Sequence, residues 1–231
     1  MTDNKIILLS SNPQGFRANE DELEQAMFES ELPVQHTFSY YDNDDLGLYV
    51  GLWDTTAMIE AAGPYACDEF MVILEGKVDI KNCKTGAVET VTAGESFVIP
   101  KGYDCQWHQQ DYLRKFYVIS EHPSEVIPEQ AVVDSIVKFE PSTDAENVIH
   151  YQDSKNRFIA GTKHYKSIEQ DFAAVPNHSF IYLQCGELKL EDQEGACYHF
   201  KAGDAFFIPK GVVCKWLATE TTVQQYVEVK S

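Results

Sequence analysis

The strongest constraint on the fold of this chain is a segment of fifteen residues that occurs twice. Residues 93–107 read AGESFVIPKGYDCQW, and residues 202–216, 109 positions later, read AGDAFFIPKGVVCKW, with nine identical positions. In each copy a glycine predicts a turn, and the apolar and aromatic run after it predicts a strand. The following proline ends that strand before a second glycine turn. The chain is therefore expected to consist of short strands joined by tight turns.

The repeat extends well beyond this segment, because residues 69–80 match residues 179–190 at a spacing of 110. A period of this length has the size of a small domain and exceeds that of a solenoid repeat. It predicts a duplicated all-β domain. We divide the chain into an N-terminal extension (1–33), a first barrel (34–122), a linker (123–147) and a second barrel (148–231).

The N-terminal extension carries the pattern of one short helix. Asn19 is a candidate N-cap, with Glu22 three residues further on. Leu23, Ala26 and Met27 then follow at the spacing of one helical face. We expect this helix to pack against the first barrel.

Composition excludes several classes of partner. The net charge of −19 argues strongly against nucleic acid or an anionic membrane surface as a partner, because either would need a basic patch. No apolar run approaches the roughly 18 residues that a membrane span needs. The apolar run near the N-terminus is too short for a signal peptide. We therefore expect a cytoplasmic protein whose six cysteines, none in a C-x-x-C pair, are free thiols.

The spacing of glycine, proline and cysteine in the repeated segment resembles the second motif of the cupin superfamily. That motif, G-x5-P-x-G-x2-H, is matched by residues 94–105 and 203–214, except that cysteine replaces the histidine. Glu69 and Gly76 match the end of the first motif. The chain looks most like bicupins of the subgroup that contains (S)-ureidoglycine aminohydrolase and the ethanolamine-utilisation cupins. The resemblance implies two tandem jelly-roll barrels, or double-stranded β-helices, each enclosing a pocket.

The resemblance also implies a metal site of three histidines and one glutamate, from which this chain departs. In the first repeat the four ligand positions fall on Gly63, Tyr65, Glu69 and Cys105. In the second repeat they fall on Ala173, Val175, Ser179 and Cys214. A transition metal needs about three or four well-placed ligands. We therefore expect no metal in the second barrel, no tightly bound metal in the first, and no cofactor.

We predict a ligand pocket in the first barrel. Its candidate residues are Tyr65, Glu69, Met71, Cys105 and Trp107, and their equivalents in the second barrel are Ser179, Ile181, Cys214 and Trp216. Glu69 is central, because a carboxylate in an apolar barrel needs a partner, which a ligand amine, a metal or Tyr65 would supply. The cysteines and tryptophans have a second interpretation as core packing, which their presence in both repeats favours.

Three functions remain open at this point. The first is a protein that binds a small amine- or ureide-type molecule in the first barrel without a full metal site. The second is a metal-dependent enzyme resembling ureidoglycine aminohydrolase, in which a metal would polarise the substrate. The third gives the second barrel a purely supporting and dimerising role. Because sheets with open edges need protection, we also expect a homodimer.

Overall fold

The protein is described by a computed structural model that covers residues 5–122, 126–128, 131–139 and 147–231. It is an all-β structure of antiparallel sheets. In chain order the strands are β1 (Ile7–Leu9), β2 (Gln35–Asn43), β3 (Leu48–Thr55), β4 (Met58–Ile59), β5 (Gly63–Pro64), β6 (Asp68–Glu75), β7 (Lys77–Asn82), β8 (Val88–Thr92), β9 (Ser96–Ile99), β10 (Asp104–Gln109), β11 (Leu113–Ser120), β12 (Val137–Lys138), β13 (Val148–Gln152), β14 (Phe158–Tyr165), β15 (Ile168–Ala174), β16 (His178–Cys185), β17 (Glu187–Asp192), β18 (Cys197–Lys201), β19 (Ala205–Ile208), β20 (Val213–Ala218) and β21 (Thr222–Val229). No helix in these ranges has the length and apolar character needed to cross a membrane.

The chain divides into two units. Residues Ser11–Phe139 form one, called here the N-terminal unit. Met1–Ser10 and Glu140–Ser231 form the other, called the C-terminal unit. The first residues of the chain belong to the C-terminal unit because β1 pairs with β19 through Ile7 and Phe207.

The N-terminal unit consists of two sheets that share one core. The larger sheet has the strand order β12-β9-β6-β11-β3-β2, and the smaller has the order β4-β10-β7-β8, with β5 also paired to β10. Alternate residues of facing strands meet in the core, as the period of two in a strand requires. These inward residues include Met71, Ile73, Phe97, Val78 and Ile80.

The C-terminal unit also consists of two sheets, in which the single strand β15 pairs with β20 where β4 and β5 both pair with β10. Its sheets have the orders β1-β19-β16-β21-β14-β13 and β15-β20-β17-β18. Its core includes Ile181, Leu183, Phe206, Ile208 and Leu190 at the equivalent alternating positions.

The turns read from the repeated segment are confirmed. Gly94 and Gly102 have φ of 90° and 83°, and Gly203 and Gly211 have φ of 93° and 88°. These values lie in the left-handed region that glycine tolerates without steric cost. The six cysteines are all free in the structure.

The predicted N-terminal helix is wrong. The only helical residues between 11 and 34 form a single 3-10 turn, Gln25–Met27, without a side-chain cap. The chain before it runs beside β2, where the backbone N–H of Asp21 donates to the Gln35 carbonyl and the Asp21 carboxylate accepts from Thr37. These contacts with the sheet replace the hydrogen bonds of a first helical turn. Phe28 is buried and Met27 is 53% exposed, so the apolar face inferred from the spacing does not form.

One glycine in β3 is required by packing. The phenol ring of Tyr117 on β11 lies directly over Gly51, and the register pairs these two residues. A Cβ on Gly51 would lie 2.3 Å from the Tyr117 hydroxyl oxygen and 2.7 Å from the Phe38 carbonyl oxygen. Gly161 and Tyr226 repeat this pairing in the C-terminal unit.

We predict that Gly51→Ala lowers the free energy of unfolding by about 1–3 kcal/mol, because overpacking forces the Tyr117 ring to move. Gly63→Ala is the matched control, since a Cβ there meets no atom within 4 Å. Urea unfolding of both variants measures the difference. Equal stability of the two variants would contradict the packing argument.

Candidate functional site: a cavity around a buried lysine

A cavity of about 740 Å³ lies in the N-terminal unit. It is bordered by β2, β3, β6 and β11 and by the segment between β4 and β6. Its lining residues are Met27, Phe28, Gln35, Thr37, Ser39, Asp42, Tyr49, Trp53, Glu60, Ala61, Tyr65, Ala66, Cys67, Glu69, Lys115, Tyr117 and Ile119. The volume falls in the range typical of sites for small molecules.

A buried ion pair lies in this cavity. The Lys115 ammonium lies 2.8 Å from Oε1 of Glu69, and the two side chains are 7% and 5% exposed. The Tyr65 hydroxyl donates a hydrogen bond to the other oxygen of Glu69. Burial and the neighbouring carboxylate raise the pKa of Tyr65 well above its ordinary value, so this phenol is a donor at neutral pH. Both oxygens of Glu69 therefore already have partners.

Aromatic rings complete the surroundings of the Lys115 ammonium. Its nitrogen lies 4.7 Å from the ring centroids of both Trp53 and Trp107, and these rings pack edge to face. The Met71 sulfur lies 3.1 Å from the same nitrogen. A cation over an indole face gains about 0.5–1 kcal/mol at an exposed site and about 2 kcal/mol or more when it is desolvated. The arrangement resembles an amine-binding cage that is filled by an amine of the chain itself.

Three of the five candidate residues, Glu69, Met71 and Trp107, thus contact Lys115, and Tyr65 joins them through its hydrogen bond to Glu69. Tyr65 and Glu69 line the cavity, whereas Met71 and Trp107 lie in the core behind it and contact the lysine. Sequence reasoning missed Lys115. Its signal is present, because the lysine interrupts the apolar alternation of residues 113, 117 and 119 on β11.

Cys105 does not join this group. It is 5% exposed within the core cluster, and burial raises its pKa to about 12, so it is a neutral thiol at physiological pH. The core-packing interpretation therefore describes this residue. Trp107 also has a core role, since it is 3% exposed and its indole N–H donates to Oε1 of Gln109 at 2.8 Å.

Glu60 is a second lining residue that sequence reasoning missed. Burial, with a smaller contribution from Glu69, raises its pKa to about 7, while Lys115 acts in the opposite direction. Within the described ranges its carboxyl group makes no hydrogen bond or ion pair, in contrast to Glu69. Glu60 follows a strand of two residues, and no periodic pattern marks its direction. At neutral pH Glu60 is therefore close to its pKa, and it lines the cavity.

The residues at the family's metal positions do not fit a metal. Gly63 and Cys105 are neighbours in the register of β5 and β10, but glycine has no donor atom and the thiol holds its proton. Glu69 already binds the Lys115 ammonium, which supplies a positive charge at that carboxylate. Among the described residues no three His, Cys, Asp or Glu side chains gather as a ligand set.

The C-terminal unit has a smaller cavity of about 210 Å³. Ser179, Ile181 and Trp216 line it, whereas Cys214 is fully buried in the core and does not. Its ion pair joins different strands: the Lys163 ammonium on β14 lies 2.7 Å from Glu228 on β21.

Comparisons with known proteins agree with this architecture. A structure from Pseudomonas syringae pv. tomato, a protein of unknown function of the DUF861 family, has a TM-score of 0.76, 18% identity, and coverage of 98% of this chain and all of its own. A putative dioxygenase from Nostoc punctiforme has a TM-score of 0.68 and 7% identity over 99% of this chain and 84% of its own. A cupin 2 conserved barrel domain protein from Leptotrichia buccalis has a TM-score of 0.62 and 13% identity, covering 88% of this chain and 100% of its own. At these identities the likeness shows the fold. No curated protein matches the sequence.

The fold and the cavity define an all-β protein of the cupin class. The sequence model of the EutQ-like cupin domain matches residues 47–117 and 172–226, together more than half of the chain. The chain belongs to the EutQ-like cupin domain family.

Proposed function

We propose that the cavity of the N-terminal unit binds a small amine-bearing molecule without a metal ion. We also propose that each of the two units is one cupin barrel. The observation that carries the first proposal is the carboxyl group of Glu60, which faces a cavity of about 740 Å³ with no partner within the described ranges. A partly buried carboxylate without a partner is costly, so a cationic ligand group would stabilise it.

The amine is assigned to Glu60 rather than to Glu69. The charge of Glu69 is balanced by Lys115 at 2.8 Å, and an incoming amine would have to displace this lysine from its cage. Glu60 carries no such internal cation. With Asp42 also on the lining, the cavity holds more carboxyl groups than ammonium groups, which favours a cationic ligand.

The remaining lining selects the rest of the ligand. Phe28, Tyr49, Trp53 and Ile119 offer apolar and aromatic surface, as is usual in sites for small molecules. The Lys115 ammonium has N–H donors beyond the one that Glu69 accepts, and these suit a carbonyl or carboxylate oxygen on the same molecule, whereas the single hydroxyl proton of Tyr65 is already donated to Glu69. A ureide, which has carbonyl and N–H groups but no charge, is the related alternative.

The test is a thermal-shift screen of amines and ureides on the full chain, followed by calorimetric titration. We expect an amine to bind and its alcohol analogue of equal length to bind at least tenfold more weakly, since a charge-assisted hydrogen bond is lost. Glu60→Gln should weaken amine binding by a similar factor. The exposed Glu187→Gln, in the C-terminal unit, is the control. Unchanged amine affinity in Glu60→Gln would contradict the proposal, as would a screen in which neither class binds.

A further inference from the structure

The cavity of the C-terminal unit differs chemically from that of the N-terminal unit. It lies between β14, β15, β16, β20 and β21, and the apolar part of its wall comes from Ile181, Trp216 and Tyr226. Its polar part comes chiefly from Lys163, Gln224 and Glu228.

The charges of this cavity are balanced within the unit. Lys163 pairs with one oxygen of Glu228 at 2.7 Å, and the side-chain amide of Asn177 donates to the other oxygen at 3.2 Å. The Lys163 ammonium also lies 4.1 Å from the centroid of the Tyr226 ring. A ligand therefore needs no net charge to be accommodated here.

The side-chain oxygen of Gln224, by contrast, lacks a hydrogen-bond partner in the described structure. The residue is 3% exposed, and its Oε1 is shielded from solvent. A buried polar group in this condition costs about 1–3 kcal/mol. Buried polar groups are hydrogen-bonded in the great majority of cases, so this one needs an explanation.

The internal repeat shows how the imbalance arises. At the spacings of 109 and 110, Gln224 corresponds to Lys115, and Ser179 corresponds to Glu69. Lys115 and Glu69 satisfy each other in the N-terminal unit. In the C-terminal unit the Ser179 hydroxyl instead donates to the Asn177 carbonyl oxygen at 3.1 Å, and the glutamine amide is left without its counterpart.

We propose that this cavity is a second ligand site, which takes a small neutral molecule bearing an amide-type group with an N–H: a carboxamide, a urea or a lactam. The side-chain amide of Gln224 would rotate about its terminal torsion to present Oε1 to the cavity, where the ligand N–H would donate to it, and the ligand carbonyl would accept from Nε2 of the same side chain. This two-point pairing matches the donor and acceptor that one glutamine amide offers. The apolar remainder of the ligand lies against Trp216 and Ile181.

The test uses two lactam probes with the full-length chain. 2-Pyrrolidinone has the N–H, and N-methyl-2-pyrrolidinone lacks it. Nuclear magnetic resonance follows the Gln224 side-chain amide and the Trp216 indole N–H, which is one of three tryptophan signals. We expect saturable shifts of both signals with 2-pyrrolidinone and roughly tenfold weaker binding of the N-methyl probe, because one hydrogen bond is lost.

Gln224→Met separates a ligand site from a structural role. The variant should lose the response of Trp216 to 2-pyrrolidinone and, without ligand, should unfold at a higher temperature than the wild type, because an unsatisfied buried group is removed. Gln225→Met, at the next position of β21 and on its opposite face, is the control that should keep the response.

Three results would overturn the proposal. They are equal shifts with the two probes, an unchanged response in Gln224→Met, and a loss of stability or failure to fold in Gln224→Met. A loss of stability counts against the proposal, because the proposal requires the unsatisfied amide of Gln224 to destabilise the unliganded protein.

Discussion

Lys115→Met is expected to lower the free energy of unfolding of the N-terminal unit by about 3–5 kcal/mol. The substitution keeps an unbranched apolar side chain, shorter by one heavy atom, but removes the ammonium. Glu69, which is 4% exposed, then keeps its hydrogen bond from Tyr65 but loses the only ammonium within 4 Å in the described structure. An uncompensated buried charge accounts for most of the predicted loss.

Another lysine pair in the same unit serves as the matched control. The Lys84 ammonium lies 3.3 Å from Asp134, and these side chains are 45% and 41% exposed. Exposed pairs contribute about 0–1 kcal/mol, so Lys84→Met should have little effect. Denaturant unfolding in a Trp216→Phe background restricts the tryptophan fluorescence to Trp53 and Trp107 of the N-terminal unit. Equal losses for Lys115→Met and Lys84→Met would disprove the importance of the buried pair.

Chemical rescue gives an independent measure of the same cage. Lys115→Ala leaves Glu69 and the two indole rings around an empty volume, and propylammonium has the shape and charge of the deleted atoms. We expect propylammonium to restore part of the stability of Lys115→Ala and to have no such effect on Lys115→Met, whose side chain fills the volume. Propanol should not rescue either variant.

The positions of the candidate residues were predictable only where a local pattern determines them. Period-two alternation puts Glu69 and Met71 on one face of β6, and the glycine and proline turns define the strands around the repeated segment. Lys115 was not predictable as their partner. It pairs in register with Ile73, and a shift of register follows Arg114, so its side chain must extend along the sheet to reach Glu69.

Interactions distant in sequence also explain the other departures. The apolar spacing of residues 23–27 fits a helix, but Asp21 finds hydrogen bonds on β2 and Phe28 is buried, and these contacts decide the local conformation. The helix propensity of so short a segment contributes less free energy than such tertiary contacts. Glu60 is a similar case, because its place on the cavity wall depends on the course of the chain after β4 and not on strand alternation.

The second large effect concerns the pH dependence of stability and comes from Glu60. Its pKa is raised to about 7 from an ordinary value of 4.5. Between these values the native state holds a proton that the unfolded state has released. Stability therefore falls as pH rises through this window, and the contribution of Glu60 is fully present below about 4.5 and lost above about 7.

Glu60→Gln removes this titration. We expect the variant to gain stability relative to the wild type as pH rises from 5 to 8, by an amount on the order of 2 kcal/mol. Urea unfolding at a series of pH values measures the free energy of unfolding of both proteins. Groups that titrate in the same way in both proteins cancel in the difference between these free energies. Glu187→Gln, which removes one carboxyl group at an exposed position, is the control with which the pH-dependent gain of Glu60→Gln is compared. A gain for Glu60→Gln no larger than that of the control would contradict the raised pKa of Glu60.

Repeating the pH series with a bound amine connects this stability effect to the proposed function. An ammonium beside Glu60 favours its ionised form and lowers its pKa in the complex, so the native state no longer retains the extra proton. Saturating amine should therefore reduce or reverse the fall in wild-type stability between pH 5 and 8, and it should not change the profile of Glu60→Gln. If the amine stabilises both proteins equally at every pH, the ligand binds elsewhere in the chain and the assignment to Glu60 is wrong.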